Sequence, residues 1–284
     1  QPATWESTSS LRCASPSYGD EGVVDLVIIN NEAVYESVVA WQFYVDPVVG
    51  SLYPVVGGVS GGTVVEVVGS GFLNTWSTYC RFGDTSVPAK WMSDTLMSCT
   101  SPLVDTGVAG AVNVEVSMNN QQYGLSEVSF EYQGMASVTS LDPTKGPAQG
   151  GTFMVVRGSG FSQRSSSLEY MYCMFNTTRV VASYVSEVEM HCVAPEGLIG
   201  YVSLEMSNND ADYTESGVQF EYEDVMVGSV HPSSGMMSGG TEVRVLGEHF
   251  HMPGSKGLWC KFGSSLSQPA TWESTSSLRC ASPS

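Results

Sequence analysis

Gly-Gly-Thr occurs three times in this sequence, beginning at Gly61, Gly150 and Gly239, and each step is 89 residues. The surroundings return with it. "YPVVGGVSGGTVVEVVGSGF" starts at Tyr53, "DPTKGPAQGGTFMVVRGSGF" at Asp142 and "HPSSGMMSGGTEVRVLGEHF" at His231. A chain made of tandem copies of such a unit is an array in which each copy builds its own core and touches its neighbours. The period also reaches the ends: "QPATWESTSSLRCASPS", residues 1–17, comes back without a substitution as residues 268–284. That offset is 267 residues, three steps of 89.

Within each unit the pattern is that of strands. Val243 and Val245 alternate with Glu242 and Arg244, the half-buried period of two; the equivalent inward pairs are Val65 with Val67 and Met154 with Val156. Pro-x-x-Gly turns precede these runs. Asn30-Asn31, Asn119-Asn120 and Asn208-Asn209 suit turns that need a positive φ. Each unit closes on an aromatic strand, "VAWQF", "VSFEY" or "VQFEY". Thirty glycines and a low charged fraction of 14% fit an all-β chain rich in turns. Short strands with regular turn signals predict a β-sandwich.

The cysteines follow the same period. Cys80 and Cys99 are 19 residues apart, as are Cys173 and Cys192, and Cys260 precedes Cys280 by 20. These spacings predict three disulfides, each closing a loop within one unit. Such a loop stabilises a small domain by about 3 kcal/mol in the chain-entropy treatment. Cys13, the seventh, is the copy of Cys280, so its expected partner is the Cys260 of a preceding repeat. Zinc competes poorly as a reading, because no C-x-x-C pair exists and the histidines are scattered. Paired cysteines point to an oxidising, extracellular setting.

Pro-x-x-Gly, Gly-Gly-Thr, Gly-x-x-Phe, "CRFGDTSVPAKWMSDTLMSCTSP", "VEVSMNNQQY" and "VSFEY", in that order, resemble the IPT/TIG immunoglobulin-like domain. The resemblance covers nearly the whole chain and implies an all-β array of immunoglobulin-like sandwiches set end to end as a rod. It implies two complete domains, 48–134 and 135–224. Residues 1–47 are then the C-terminal half of a domain, and 225–284 the N-terminal part of one whose sequence would continue as the equivalent of 18–47. "CMFNTT" departs from the pattern, with Asn176 where glycine is usual. Such domains occur in plexins, hepatocyte-growth-factor receptors, fibrocystin-like surface proteins and some transcription factors, so the fold alone does not select a function.

Enzyme chemistry has little to rest on. His191, His231, His249 and His251 lie in no nucleophile elbow or metalloprotease helix, so the chain is read as a non-enzyme without metal or cofactor. His249 and His251 flank Phe250 and could be a metal pair on an extended strand; a polar loop after Gly-x-x-Phe is the simpler reading. Glu221, Glu223 and Asp224 gather at one domain junction, where a solvated strand end competes with a calcium site. Asn176-Thr177-Thr178 is an N-glycosylation sequon in a turn-like segment, and Ser/Thr-rich stretches could take O-linked sugars. Outward positions after Gly-Gly-Thr are apolar in two units, Val64 and Val68 in one, Phe153 and Val155 in the other. They are candidate assembly contacts.

The net charge of −18, from 29 acidic and 11 basic residues, opposes binding to phosphate backbones and excludes a nucleic-acid role. No apolar run is long enough for a membrane-spanning helix. The reading that joins these features is a secreted structural protein, a filament or cell-surface or flagellar hair, built from a 267-residue three-domain repeat and partnered by further copies of it. The alternative is the stalk of an adhesin or receptor ectodomain. In either case the half-domains are expected to belong to a continuous chain running from Ser284 into a copy of Tyr18. Strand donation between separate chains would leave one cysteine surplus.

Overall fold

A computed structural model describes residues 1–35, 39–105, 107–251 and 257–284. The described residues are strands and turns apart from one five-residue α-helix, Gln163–Ser167. The chain forms two compact units. One comprises Gln1–Leu52, Glu66–Cys99 and Asn113–Val128; the other comprises Tyr53–Val65, Thr100–Val112 and Ser129–Ser284.

The second unit contains a complete sandwich over 135–224. One sheet has the order Ser137–Asp142, Phe153–Ser159, Glu189–Val193, Ser183–Ser186. The other runs Lys145–Pro147, Gln219–Glu223, Gly200–Ser207, Tyr172–Phe175, Thr178–Val181. All these neighbours are antiparallel except Lys145–Pro147, which pairs parallel with Gln219–Glu223. The period of two carries through: Met154, Val156, Met190, Leu204, Met206 and Phe220 are all 0% exposed and share one core with Cys173, Cys192 and Tyr222. Phe220 meets Phe175 and Tyr222 edge-on across that core.

The repeated landmarks have a packing cause. A Cβ on Gly146, the glycine of Pro-x-x-Gly, would stand 2.0 Å from Thr152 Oγ1 and 2.9 Å from the Phe220 ring. Gly57 is pressed in the same way against Thr63. The glycine of one landmark thus exists because the threonine of the next lies on it. Gly150 and Gly151 adopt φ of 75° and 83°, left-handed values that side chains disfavour.

In the first unit, Tyr79–Phe82 pairs antiparallel with Thr85–Ser93, which pairs in turn with Leu96–Thr100. Trp91 Nε1 donates to the Phe72 carbonyl at 3.1 Å. The described residues of 1–47 form three small two-stranded ladders: Ala3–Ser7 with Ser10–Cys13, Gly22–Asp25 with Ala40–Phe43, and Ile28–Asn30 with Ala33–Tyr35. In the second unit, Val56–Gly58 pairs parallel with Ser129–Gln133, the counterpart of the Lys145–Pro147 pairing. The described residues of 225–284 build one five-stranded sheet, in the order Met226–His231, Glu242–Glu248, Ser277–Ala281, Gln268–Ser274, Trp259–Cys260.

The seventeen-residue repeat therefore appears in two settings with one local fold. Ala3↔Cys13, Thr4↔Arg12, Trp5↔Leu11 and Ser7↔Ser10 match Ala270↔Cys280, Thr271↔Arg279, Trp272↔Leu278 and Ser274↔Ser277. Even the bulge after the tryptophan is kept. Packing differs: Trp5 is 67% and Leu11 46% exposed, while Leu278 is 8% exposed and Trp272 Nε1 donates to the Phe250 carbonyl.

The turn expectation needs one correction. Asn31 and Asn120 do take positive φ, but in the second domain the left-handed residue is Asp210, at 59°, not Asn208 or Asn209. Asn209 Oδ1 accepts from the Ala211 and Asp212 amides as Asn119 Oδ1 does from those of Gln121 and Gln122, so the turn is the same one and Asp210 stands where Asn120 stands in the first domain. At the irregular "CMFNTT", Asn176 adopts φ of 54°, close to the 58° of Gly83 and Gly263. Asparagine tolerates that conformation, so the turn is preserved.

Candidate functional site

The densest polar cluster within the second unit lies where the loop 208–214 of the second domain meets the segment 53–63 of the first. Asn209, 4% exposed, donates from Nδ2 to the Val56 carbonyl at 3.3 Å and to Asp212 Oδ2 at 2.7 Å. Thr63, the threonine of Gly-Gly-Thr, is 0% exposed and donates its hydroxyl to Asp212 Oδ2 at 2.5 Å. Tyr53 donates to Asp210 Oδ2 at 3.2 Å and meets the Tyr170 ring edge-on at 5.6 Å. Asp210 also carries Arg179, whose guanidinium lies 4.5 Å over the Tyr172 ring.

The short helix completes this joint. Ser162 caps it by accepting from the Ser165 amide, and the buried Ser165 hydroxyl donates to Gln133 Oε1 at 3.1 Å. Arg164 stands 3.5 Å from Glu131. Burial, with the Asp210 carboxylate secondary, raises the Tyr213 hydroxyl to about 12 and raises Tyr53 as well, so both stay protonated donors near neutrality. A crevice of about 260 Å³ between Ser60, Gly62, Met135, Asn208, Asp212 and Tyr213 is what remains between the surfaces. The cluster is chemically suited to fixing one domain on the next. Its donors and acceptors are spent on one another.

A second cluster lies at the junction with residues 225–284. Glu223 holds Lys145 at 2.7 Å and stands 3.3 Å from His251 Nε2. His249 Nδ1–H donates to the Asp224 carbonyl at 2.8 Å. His249 and His251 are not a pair on an extended strand: the strand Glu242–Glu248 ends before them and His249 turns left-handed at φ 58°. Glu221 pairs in register with Lys145. Among the described residues no group of three or more His, Cys, Asp or Glu side chains is placed to hold a metal ion.

The other sequence candidates sit as follows. Cys80–Cys99, Cys173–Cys192 and Cys260–Cys280 are bonded, with Cα separations of 6.3, 6.5 and 6.3 Å, and Cys13 is a free, exposed thiol. Asn176 is exposed in the turn between Tyr172–Phe175 and Thr178–Val181. Val64, Val68 and Phe153 are exposed, Val155 is half-buried, and the Phe153 ring rests against His191 at 4.8 Å. No helix among the described residues is long and apolar enough to cross a membrane.

Sequence reasoning missed the first joint. Its signal was available: acidic Asp210 and Asp212 follow Asn209, where Asn120 and Gln122 follow Asn119 in the first domain. In that first-domain loop Asn119 bonds with Gln121 and Gln122, and Tyr123 shares a hydrogen bond with Ser86.

Comparison with known proteins agrees with the strand series. The IPT/TIG domain model matches residues 47–132 and 136–222. Fibrocystin-L of Mus musculus is 26% identical over 216 residues, and that of Homo sapiens 24% over 214. Each alignment covers 75% of this chain and 5% of the relative, so the chain spans about 5% of the length of the curated relatives it matches. Among solved structures, the full extracellular region of plexin A4 superposes with a TM-score of 0.54 at 17% identity, covering 84% of this chain and 21% of that one.

Proposed function

Because this chain belongs to the IPT/TIG domain family, we propose that it is a non-catalytic spacer, a run of the stalk in a cell-surface receptor or adhesin ectodomain. The observation that carries this reading is the joint at which Asn209, Asp210 and Asp212 engage Val56, Tyr53 and Thr63. A spacer must transmit position from one domain to the next, and a joint in which buried Asn209 and Thr63 are hydrogen-bonded across it holds one arrangement where a Gly/Ser linker would not. Similarity to fibrocystin-L and to the extracellular region of plexin A4 supports an extracellular or cell-surface setting, as do the three disulfides. The test is the two-domain fragment 48–224, studied by NMR relaxation and residual dipolar couplings. One shared tumbling tensor supports the spacer, and Asn209→Ala with Asp212→Ala should split it into two. Independent tumbling of the unaltered domains would overturn the reading.

A filament is the second reading, favoured by one observation: the unsubstituted return of seventeen residues after 267. Such a period gives every third domain an equivalent place, which a regular fibre uses and a monomeric stalk does not need. Here Val64, Val68, Phe153 and Val155 would be contacts between copies, and glycans at Asn176 would face solvent. Replacing Phe153 and Val155 by Thr tests this, since unchanged assembly removes those contacts from the account.

A further inference from the structure

Each domain has one edge strand that serves both of its sheets. Thr85–Ser93 does so in one piece, pairing with Tyr79–Phe82 through residues 85–88 and with Leu96–Thr100 through residues 89–93. In the second domain the same strand changes sheets at Ala182: Thr178–Val181 ends one sheet and Ser183–Ser186 ends the other. Its far side therefore carries backbone groups that no described strand covers.

One position decides whether this edge can pair. The Ala182 amide donates to the Met171 carbonyl at 3.0 Å, beside the pair Tyr172↔Val181. By antiparallel alternation the N–H and C=O of Val181 then point away from that partner, to the open edge. The counterparts of Val181 are Pro88 and Pro269. They stand opposite Tyr79 and Trp259, beside the Ala89 and Ala270 amides, which donate inward to the Thr78 and Leu258 carbonyls. Proline has no N–H to offer at such a place, so it is tolerated on an edge and blunts it. Lys90 adds a charge two residues on in the first domain, where the second has Ser183. Of these three edges, that of the second domain keeps its donor.

The same edge is apolar and complements itself. Val181 is 69% and Val185 47% exposed. From 179 to 187 the odd residues are exposed and the even ones buried or half-buried, so Arg179, Val181, Ser183, Val185 and Glu187 share the outer face. Turned about a twofold axis at Ser183, the strand sets Val181 opposite Val185 and Arg179 opposite Glu187, and each pair occurs twice. A parallel, in-register pairing would instead set Arg179 on Arg179, which like charges oppose. Arg179 already holds Asp210 through Nη1. A guanidinium has five donors, enough for a second carboxylate.

We propose that residues 179–187 of the second domain form an antiparallel strand pair with the same residues of a second copy of this chain. Pairing uses up both edges, so the contact joins two chains and does not propagate. The two second domains then point in opposite directions, and neighbours standing the same way on one surface leave their edges unpaired. This interaction goes beyond the spacer reading and does not depend on it.

Sedimentation velocity on the full chain tests the contact. With rising concentration the unaltered protein should pass from 30.3 kDa to twice that mass and grow no further. Val181→Pro gives this edge the guard that its two counterparts have, at a place where the fold accepts proline, and should be monomeric throughout. Glu187→Arg sets like charges opposite each other at both ends of the pair and should weaken association about tenfold. Hydrogen exchange of peptide 178–186 should slow at least about tenfold in the wild-type dimer. Peptide 200–207 should exchange alike in wild type and variants, which shows the domain folded in each. A wild type that stays monomeric overturns the proposal, including one whose edge binds only a synthetic peptide of residues 178–186. A folded Val181→Pro variant that still dimerises overturns it as well, and so does a Glu187→Arg variant that dimerises as readily as the wild type.

Discussion

Replacing Thr63 and Thr152 separately by valine asks whether the domain joint is held by its hydrogen bonds. The two residues occupy the same place in successive domains, both in Gly-Gly-Thr and both against a Pro-x-x-Gly glycine. Valine keeps the shape and removes only the hydroxyl. Thr63 gives that hydroxyl to the Asp212 carboxylate at 2.5 Å. A hydrogen bond to a charged group contributes about 1.5–3 kcal/mol, and Asp212 is exposed enough for water to replace part of it. The expected cost of Thr63→Val is therefore about 1.5 kcal/mol, roughly a tenfold shift in local opening. Thr152 has no partner among the described residues, so Thr152→Val removes a desolvated hydroxyl and should be neutral or stabilising by up to about 1 kcal/mol. Native-state hydrogen exchange reads local opening directly, without assuming that a chain of several domains unfolds in one step. Peptides covering 53–63 and 206–214 should exchange about tenfold faster in Thr63→Val and no faster in Thr152→Val. Equal effects from the two substitutions, or none from Thr63→Val, would refute the assignment of the joint to this bond.

Three further outcomes are expected. Replacing Cys173 and Cys192 by serine should destabilise the second domain by about 3 kcal/mol in the chain-entropy treatment, read by denaturant titration of the fragment 135–224; a change below about 1 kcal/mol would remove loop closure as the cause. Burial holds His251 below the usual histidine range against the opposing pull of Glu223, so its folded pKa lies below its unfolded one. Stability from this group is then complete above about 6.5 and is lost as pH falls through 6.5 toward the folded pKa. Exchange at 247–251, corrected for intrinsic rate, should rise between pH 7 and pH 5 and stay flat in His251→Gln. Peptides containing Asn176 from the native source should carry a glycan, and mass spectrometry finding only the bare peptide would count against that site.

What could be read from the sequence was what repeats. The inward alternation at Val65 and Val67, Met154 and Val156, and Val243 and Val245 is a backbone property of strands; the first four are 0% exposed and the last two 5% and 8%. The domain-to-domain contact was harder to see because it is made by what does not repeat. Asp210 and Asp212 gain their role only from a tyrosine and a threonine about 150 residues earlier, and no local pattern encodes that pairing. Asn209 read as a turn residue because asparagine suits a positive φ. In the structure it is a buried cap and Asp210 makes the turn. For His249 and His251 the sequence favoured a polar loop after Gly-x-x-Phe over a pair on one strand side, but not the partners of the two rings. The left-handed His249 sends the two rings to different partners, the Asp224 carbonyl and Glu223.

Electron microscopy of the native material tests the central claim, that this run of IPT/TIG domains is a spacer in a cell-surface ectodomain. Single stalks, each ending in a distinct tip or at a membrane surface and not packed side by side, are the predicted image. Laterally associated fibres with an axial repeat of three domains, free of any tip, would contradict it.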